Sequence, residues 1–149
     1  HGGHVRFLLY DRFVKVVPGE RVETVKHVSL TEEYFRAHYP HAPLVPPAFV
    51  LESMLQSLGG LIMVTHGWSV LPVLSLVEDV RLPPALGPGC RLDVTGELLS
   101  TNPAGSLGRA SVSLEGRTIA SAGRILYAHV PVRDSAALRE RFRSLGAVP

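Results

Sequence analysis

Hydrophobic and polar positions change their spacing along the chain, and each change marks a new element. Phe7 to Tyr10 is a short apolar segment. Arg12-Phe13-Val14-Lys15-Val16-Val17, the pair Pro18-Gly19 and the run from Arg21 to Val28 then read as a β-hairpin, two β-rich runs around a turn dipeptide. Thr31-Glu32-Glu33-Tyr34-Phe35 reads as the start of a short helix, with Thr31 as cap and two acids complementing the helix dipole. Pro40, Pro43, Pro46 and Pro47 follow. Each lacks an N–H and turns its predecessor away from helix, so residues 38–46 are expected to form a stiff, extended loop. A long helix is predicted from Pro47, a residue suited to the first helical position, to about His66, just before Gly67. It is apolar almost all round, the pattern of a buried helix. Glu52 and Gln56 lie one turn apart, and Gly59 and Gly60 continue their face. A glycine inside a helix costs about 1 kcal/mol relative to alanine. Two together are expected where another backbone comes very close.

Beyond the helix the pattern is that of strands. Val70 to Leu82 is one, with Pro72 restricting where it can pair. Arg91 to Leu99 places Leu92, Val94, Gly96 and Leu98 on one face. Leu107 to Leu114 and Thr118 to Tyr127 are joined by the turn Glu115-Gly116, and Asp134 to Phe142 reads as a terminal helix capped by Asp134. A hairpin, a buried helix and four further β-rich runs predict an α+β domain, an antiparallel sheet curled round one central helix. No internal repeat or linker interrupts the pattern, so residues 1–149 read as a single domain.

Composition narrows the function classes. Hydrophobic residues make up 46% and charged residues 19%, a globular balance. The apolar region from Pro46 to Val64 is interrupted by Glu52, Ser53, Gln56 and Ser57, and a spanning helix needs about 20 predominantly apolar residues. No signal-peptide pattern opens the sequence, and no membrane association is expected. The net charge of +2 lacks the basic stripe of a nucleic-acid binder. Arg133, Arg139, Arg141 and Arg143 cluster near the end, as a solvated helix face or a docking patch for an acidic partner. The one cysteine, Cys90, precludes an internal disulfide and suits a reducing compartment, the cytoplasm; its turn sequence marks an incidental thiol. His27, His66 and His129 show no metal-ligand spacing, so no metal is expected.

The chemistry-bearing residues gather around the start of the long helix. His38 lies in the proline-rich loop and can take a proton near neutrality. Glu52 lies on the helix, where an apolar setting would favour the protonated, donating form of a carboxyl group by desolvation. Between them, near residues 47 and 48, a helix start offers free N–H groups to a developing oxyanion. Gln56 is placed to orient Glu52 or a water, or to make a structural hydrogen bond; His41 is an additional polar group of the loop, more suited to solvent.

The segment His38-Tyr39-Pro40-His41-Ala42-Pro43-Leu44-Val45-Pro46-Pro47-Ala48-Phe49-Val50-Leu51-Glu52 resembles the pattern H-F-P-G-x-P-V-M-P-G-V-L-x-x-E, with the same spacing from histidine to acid. That pattern belongs to the bacterial β-hydroxyacyl-acyl-carrier-protein dehydratases of fatty-acid synthesis. Phe7-Leu8-Leu9-Tyr10-Asp11-Arg12, His27-Val28-Ser29, Glu52-Ser53-Met54-Leu55-Gln56 and Val80-Arg81-Leu82-Pro83-Pro84 through Pro88-Gly89 resemble further family segments, in order. The resemblance implies a hot-dog fold and a homodimer or an oligomer of dimers. It implies sites at the dimer interface, where His38 of one subunit faces Glu52 of the other. It implies a 3-hydroxyacyl thioester on a carrier protein or coenzyme A, dehydrated to the trans-2-enoyl thioester without metal or organic cofactor. Pro47, Ala48 and Gln56 fall at substrate-binding positions. The family glycine whose N–H polarises the thioester carbonyl is Pro47 here, which has no N–H; Ala48 carries the next one. Two other readings stay open. One is a hot-dog thioesterase, using the helix carboxylate to activate water without need of His38. The other is a non-catalytic acyl-thioester-binding protein that has lost the Pro47 donor.

Overall fold

The computed structural model describes residues 12–28 and 44–144. The segment Phe7 to Tyr10, the expected short helix at Thr31 and the loop bearing His38 and His41 lie outside the described residues.

Strand β1 (Arg12–Val17) and strand β2 (Arg21–His27) form the expected hairpin, with Val17 opposite Arg21. Gly19 takes φ +80° in its turn, a conformation open to glycine at little cost. Strands β3 (Val70–Arg81), β4 (Arg91–Asn102), β5 (Gly105–Leu114) and β6 (Arg117–Pro131) follow the long helix α1 (Pro47–Thr65). All six strands form one antiparallel sheet in the order β1-β2-β4-β5-β6-β3. Glu115 (φ 51°) and Gly116 (φ 78°) turn β5 into β6, the left-handed pair that a tight hairpin needs. Helix α2 (Ser135–Ser144) closes the described chain; the Ala137 amide donates to Asp134 Oδ1 at 2.9 Å, the predicted cap.

The sheet wraps α1. Met54, Leu58, Leu61 and Ile62 of the helix are fully buried against Val22, Val94, Val112 and Ile125 of the strands. Each such side chain contributes about 1.5–3 kcal/mol on burial. The face of β4 read from the sequence is the inner one, with Leu92, Val94 and Gly96 buried. Two strand glycines admit the helix: a Cβ at Gly96 would meet Leu58 Cδ1 at 3.4 Å, and one at Gly108 would meet Leu58 Cδ2 at 2.7 Å. The buried hydroxyls between α1 and β2 are paired. Ser57 Oγ donates to the Ser53 carbonyl at 2.7 Å, so its single hydrogen is used, and Thr24 of β2 is the donor in the 2.7 Å Thr24–Ser57 contact.

The structure corrects three expectations. The helix is not enclosed on all sides: Ala48 and Glu52 are exposed on a face the sheet does not reach. Gly59 and Gly60 do not admit a backbone but two rings, Pro72 Cγ at 3.6 Å from a Cβ at Gly59 and Phe13 Cζ at 2.6 Å from one at Gly60. And β4 and β6 run on to Asn102 and Pro131. Their last residues find partners, Asn102 opposite Gly105 in β5 and Pro131 opposite Val70 in β3, which local patterning does not reveal. By length and hydropathy α1 could cross a membrane, but 61% of its apolar window is buried inside the fold, as for a core helix.

Candidate active site

The N-terminus of α1 is built by prolines. Pro46 is the N-cap with φ −59° and ψ 132°, extended as the residue before a proline must be, and makes no side-chain cap. Val45 anchors this entry by donating its N–H to the Leu86 carbonyl at 2.7 Å. Pro47 has no N–H, and the Phe49 amide turns back to the Pro46 carbonyl at 3.0 Å. That leaves the exposed Ala48 as the first residue of the helix with an N–H to offer. Beside the helix start a narrow, mainly apolar crevice is lined by Lys26, Val28, Val45, Phe49, Val50, Ser53 and Leu92.

One turn further on, Glu52 points away from the core. Gln56 Nε2 donates to Glu52 Oε1 at 3.3 Å, so these two expected site residues are neighbours. The burial expected to favour a protonated Glu52 is absent in the single chain, because this residue is exposed. A residue the sequence reading missed lies behind them. Tyr127 of β6 is buried and donates its hydroxyl hydrogen to the Leu55 carbonyl at 2.6 Å. Burial, and then the charge of Glu52, push its hydroxyl well above the ordinary tyrosine range, so it stays a neutral donor. Nothing in the local sequence signals this contact, which joins positions 72 apart. His38, the other half of the expected pair, lies outside the described residues.

The same side of the molecule carries an open sheet edge. Among the described residues, strand β3 pairs with β6 only, and Leu71, Val73, Leu74, Leu76 and Val80 are exposed along it. Leu74 stands opposite Tyr127, and Pro72 packs at Gly59, so this edge adjoins the Glu52–Gln56 face of α1. Among the described residues no group of three His, Cys, Asp or Glu side chains is placed to hold a metal. Cys90 is partly buried, its Sγ 3.5 Å from the Gly87 carbonyl, and burial pushes its thiol up, away from reactivity.

Residues 3–77, half of the chain, match the FabA-like domain family. The chain belongs to that family. A 3-hydroxyacyl-(acyl-carrier-protein) dehydratase FabZ of Caldicellulosiruptor bescii is 30% identical over 125 residues, 82% of this chain and 87% of that protein. The FabZ of Syntrophotalea carbinolica is 34% identical over 97 residues, 64% of this chain and 66% of its own length. Among solved structures, a Streptococcus mutans protein bound to acetyl CoA superposes with a TM-score of 0.63 at 13% identity, over 83% of this chain and 90% of that one. The six-stranded antiparallel sheet around one helix is thus the hot-dog fold of the FabA-like family.

Proposed function

We propose that this chain, read as a single hot-dog domain, is a 3-hydroxyacyl-thioester dehydratase that takes its substrate on a carrier protein or coenzyme A. The observation that carries the reading is Glu52, an exposed carboxyl group and the one charged side chain of α1, beside an apolar sheet edge that is unpaired among the described residues. A second copy pairing along β3 would cover that face, exclude water from it and bring its own residues near. In the proposed reaction His38 of one copy takes the α-proton of the thioester. The electron pair moves toward the thioester carbonyl, whose developing negative charge accepts a hydrogen bond from the Ala48 N–H. As the pair returns to form the α,β double bond, the β C–O bond breaks and Glu52 gives its proton to the departing hydroxyl, which leaves as water. Gln56 holds the Glu52 carboxyl group through the 3.3 Å contact.

Hydration of an enoyl thioester, the reverse reaction, is followed by loss of its absorbance. His38→Ala and Glu52→Gln are each expected to lower turnover by about 10²–10⁴-fold, the usual worth of one general acid or base, and to leave the assembly folded. Hydrolysis of a saturated acyl thioester, assayed in parallel, tests the thioesterase alternative, which needs Glu52 but not His38. Near-wild-type hydration by either variant removes that residue from the mechanism.

A further inference from the structure

The C-terminal end of α1 is tied to the sheet by a row of side chains that the proposed reaction does not use. His66, the C-cap of α1, meets Thr101 Oγ1 of β4 through Nε2 at 2.7 Å. Thr101 Oγ1 meets Ser106 Oγ of β5 at 2.7 Å. Ser106 Oγ meets His129 Nε2 of β6 at 2.8 Å. The two imidazole rings stand edge to face, their centroids 4.8 Å apart.

Counting hydrogens constrains this row further than distance does. Each of the contacts Thr101 makes, and the one between Ser106 and His129, needs one hydrogen. The two hydroxyls bring one each, so the last must come from an imidazole Nε2. With neither Nε2 protonated, one bond is lost. With both protonated, one hydrogen has no acceptor. An imidazolium carries hydrogen on both nitrogens. Two neutral rings of opposite tautomer therefore satisfy the row, and so does one imidazolium beside a neutral ring that carries its hydrogen on Nδ1; two imidazoliums do not.

We propose that His66, Thr101, Ser106 and His129 form a single-proton latch: the row takes up one proton across its two histidines, and a second proton breaks it and frees the C-terminal end of α1 from the sheet.

The surroundings favour this reading. His129 Nδ1 is buried and, among the described residues, makes no well-aligned hydrogen bond, although the Pro103 and Asn102 carbonyls lie near the ring. Burial, and then the charge of His66, hold His129 below the ordinary histidine range; hydrogen bonding to the carbonyls of Pro103 and Asn102 acts in the opposite sense and is outweighed. Pro72 of β3 stands opposite His129, the Asn102 carbonyl of β4 lies near its ring and Thr65 of α1 precedes His66 in the chain; none of these ionises. The β1–β2 turn, whose Gly19 amide donates to Thr65 Oγ1, carries the exposed Glu20. Since His129 binds its proton less readily in the folded chain than in the unfolded one, it adds no penalty well above the unfolded value of about 6.5. Its stabilising neutrality becomes a cost as pH falls below that value.

The test is a proton NMR titration of the assigned His66 and His129 ring signals in the full chain. The latch predicts two steps separated by about one pH unit or more. It also predicts that the His66, Gly67 and Trp68 amides lose exchange protection at the lower step. Ser106→Ala, which removes a link, should bring the steps closer and abolish the pH step in protection. Should that variant not fold, Thr101→Val at the half-buried neighbouring link gives the same reading. A single shared step at the ordinary histidine value overturns the latch, as does a two-step titration that the folded variant leaves unchanged. Turnover plays no part in this readout, so it stands apart from the fate of the dehydratase reading.

Discussion

Gly60 and Gly108 both sit where a Cβ would collide, but with different kinds of neighbour. At Gly60 the obstacle is the tip of the Phe13 ring, 2.6 Å away, at the end of a side chain that can swing. At Gly108 it is the Glu97 carbonyl oxygen at 2.7 Å, fixed in the β4–β5 ladder, as well as Leu58 Cδ2. Gly60→Ala should therefore be close to neutral, because about 1 kcal/mol of helix propensity offsets the ring shift. Gly108→Ala should cost about 1–3 kcal/mol, the range for overpacking. Urea denaturation of both variants checks the contrast, and equal losses would refute it. Pro47 poses a residue-scale question of its own. With Ala48 as the donor, Pro47→Gly should leave kcat unchanged or lower and cost about 0.4–1 kcal/mol through the freer unfolded chain. A rise in kcat of about tenfold or more would mean that the missing N–H limits the wild type. Glu52 was legible in the sequence because its spacing from His38 and its isolation on an apolar helix are local facts. Tyr127 was not, because its role depends on a contact that only the folded chain creates.

Elements were legible wherever one face of a strand or helix met the core. The hairpin, the inner face of β4, the Glu115-Gly116 turn and the Asp134 cap all follow from residues within a few positions of each other. Strand ends and the open side of α1 were not, since each depends on a partner distant in sequence. The α1–β2 contact shows what such a partner does. Thr24 donates to Ser57, which donates to Ser53, all in the core. Ser57→Ala leaves the Thr24 hydroxyl buried without an acceptor, at a cost of about 1–3 kcal/mol. Thr24→Val in the same chain removes the stranded hydroxyl. The double variant should thus be destabilised by less than the two single losses added together, a coupling measured by a double-mutant cycle. Strict additivity would show that the hydroxyl pair contributes nothing of its own.

At the scale of the whole molecule, the exposed face of α1 and the edge of β3 pose one problem with one proposed solution. A long, apolar, unpaired edge invites pairing with another chain, and Leu71, Val73, Leu74, Leu76 and Val80 are exposed on it without stabilising the single chain. Glu52 on the adjoining helix face is open to water, a poor setting for an acid that must hold its proton until a hydroxyl departs. If pairing along β3 supplies the missing cover, assembly and turnover stand or fall together. Val73→Lys with Leu76→Lys places charges on the edge at exposed positions, so the fold should survive, with far-UV circular dichroism unchanged. Light scattering at micromolar concentration should show a monomer, and hydration of the enoyl thioester should fall by about 10²-fold or more, as when one general catalyst is lost. A folded monomer with full turnover would mean that one chain holds the complete site. A variant that still dimerises would place the interface on another surface and leave the exposure of Glu52 without this explanation.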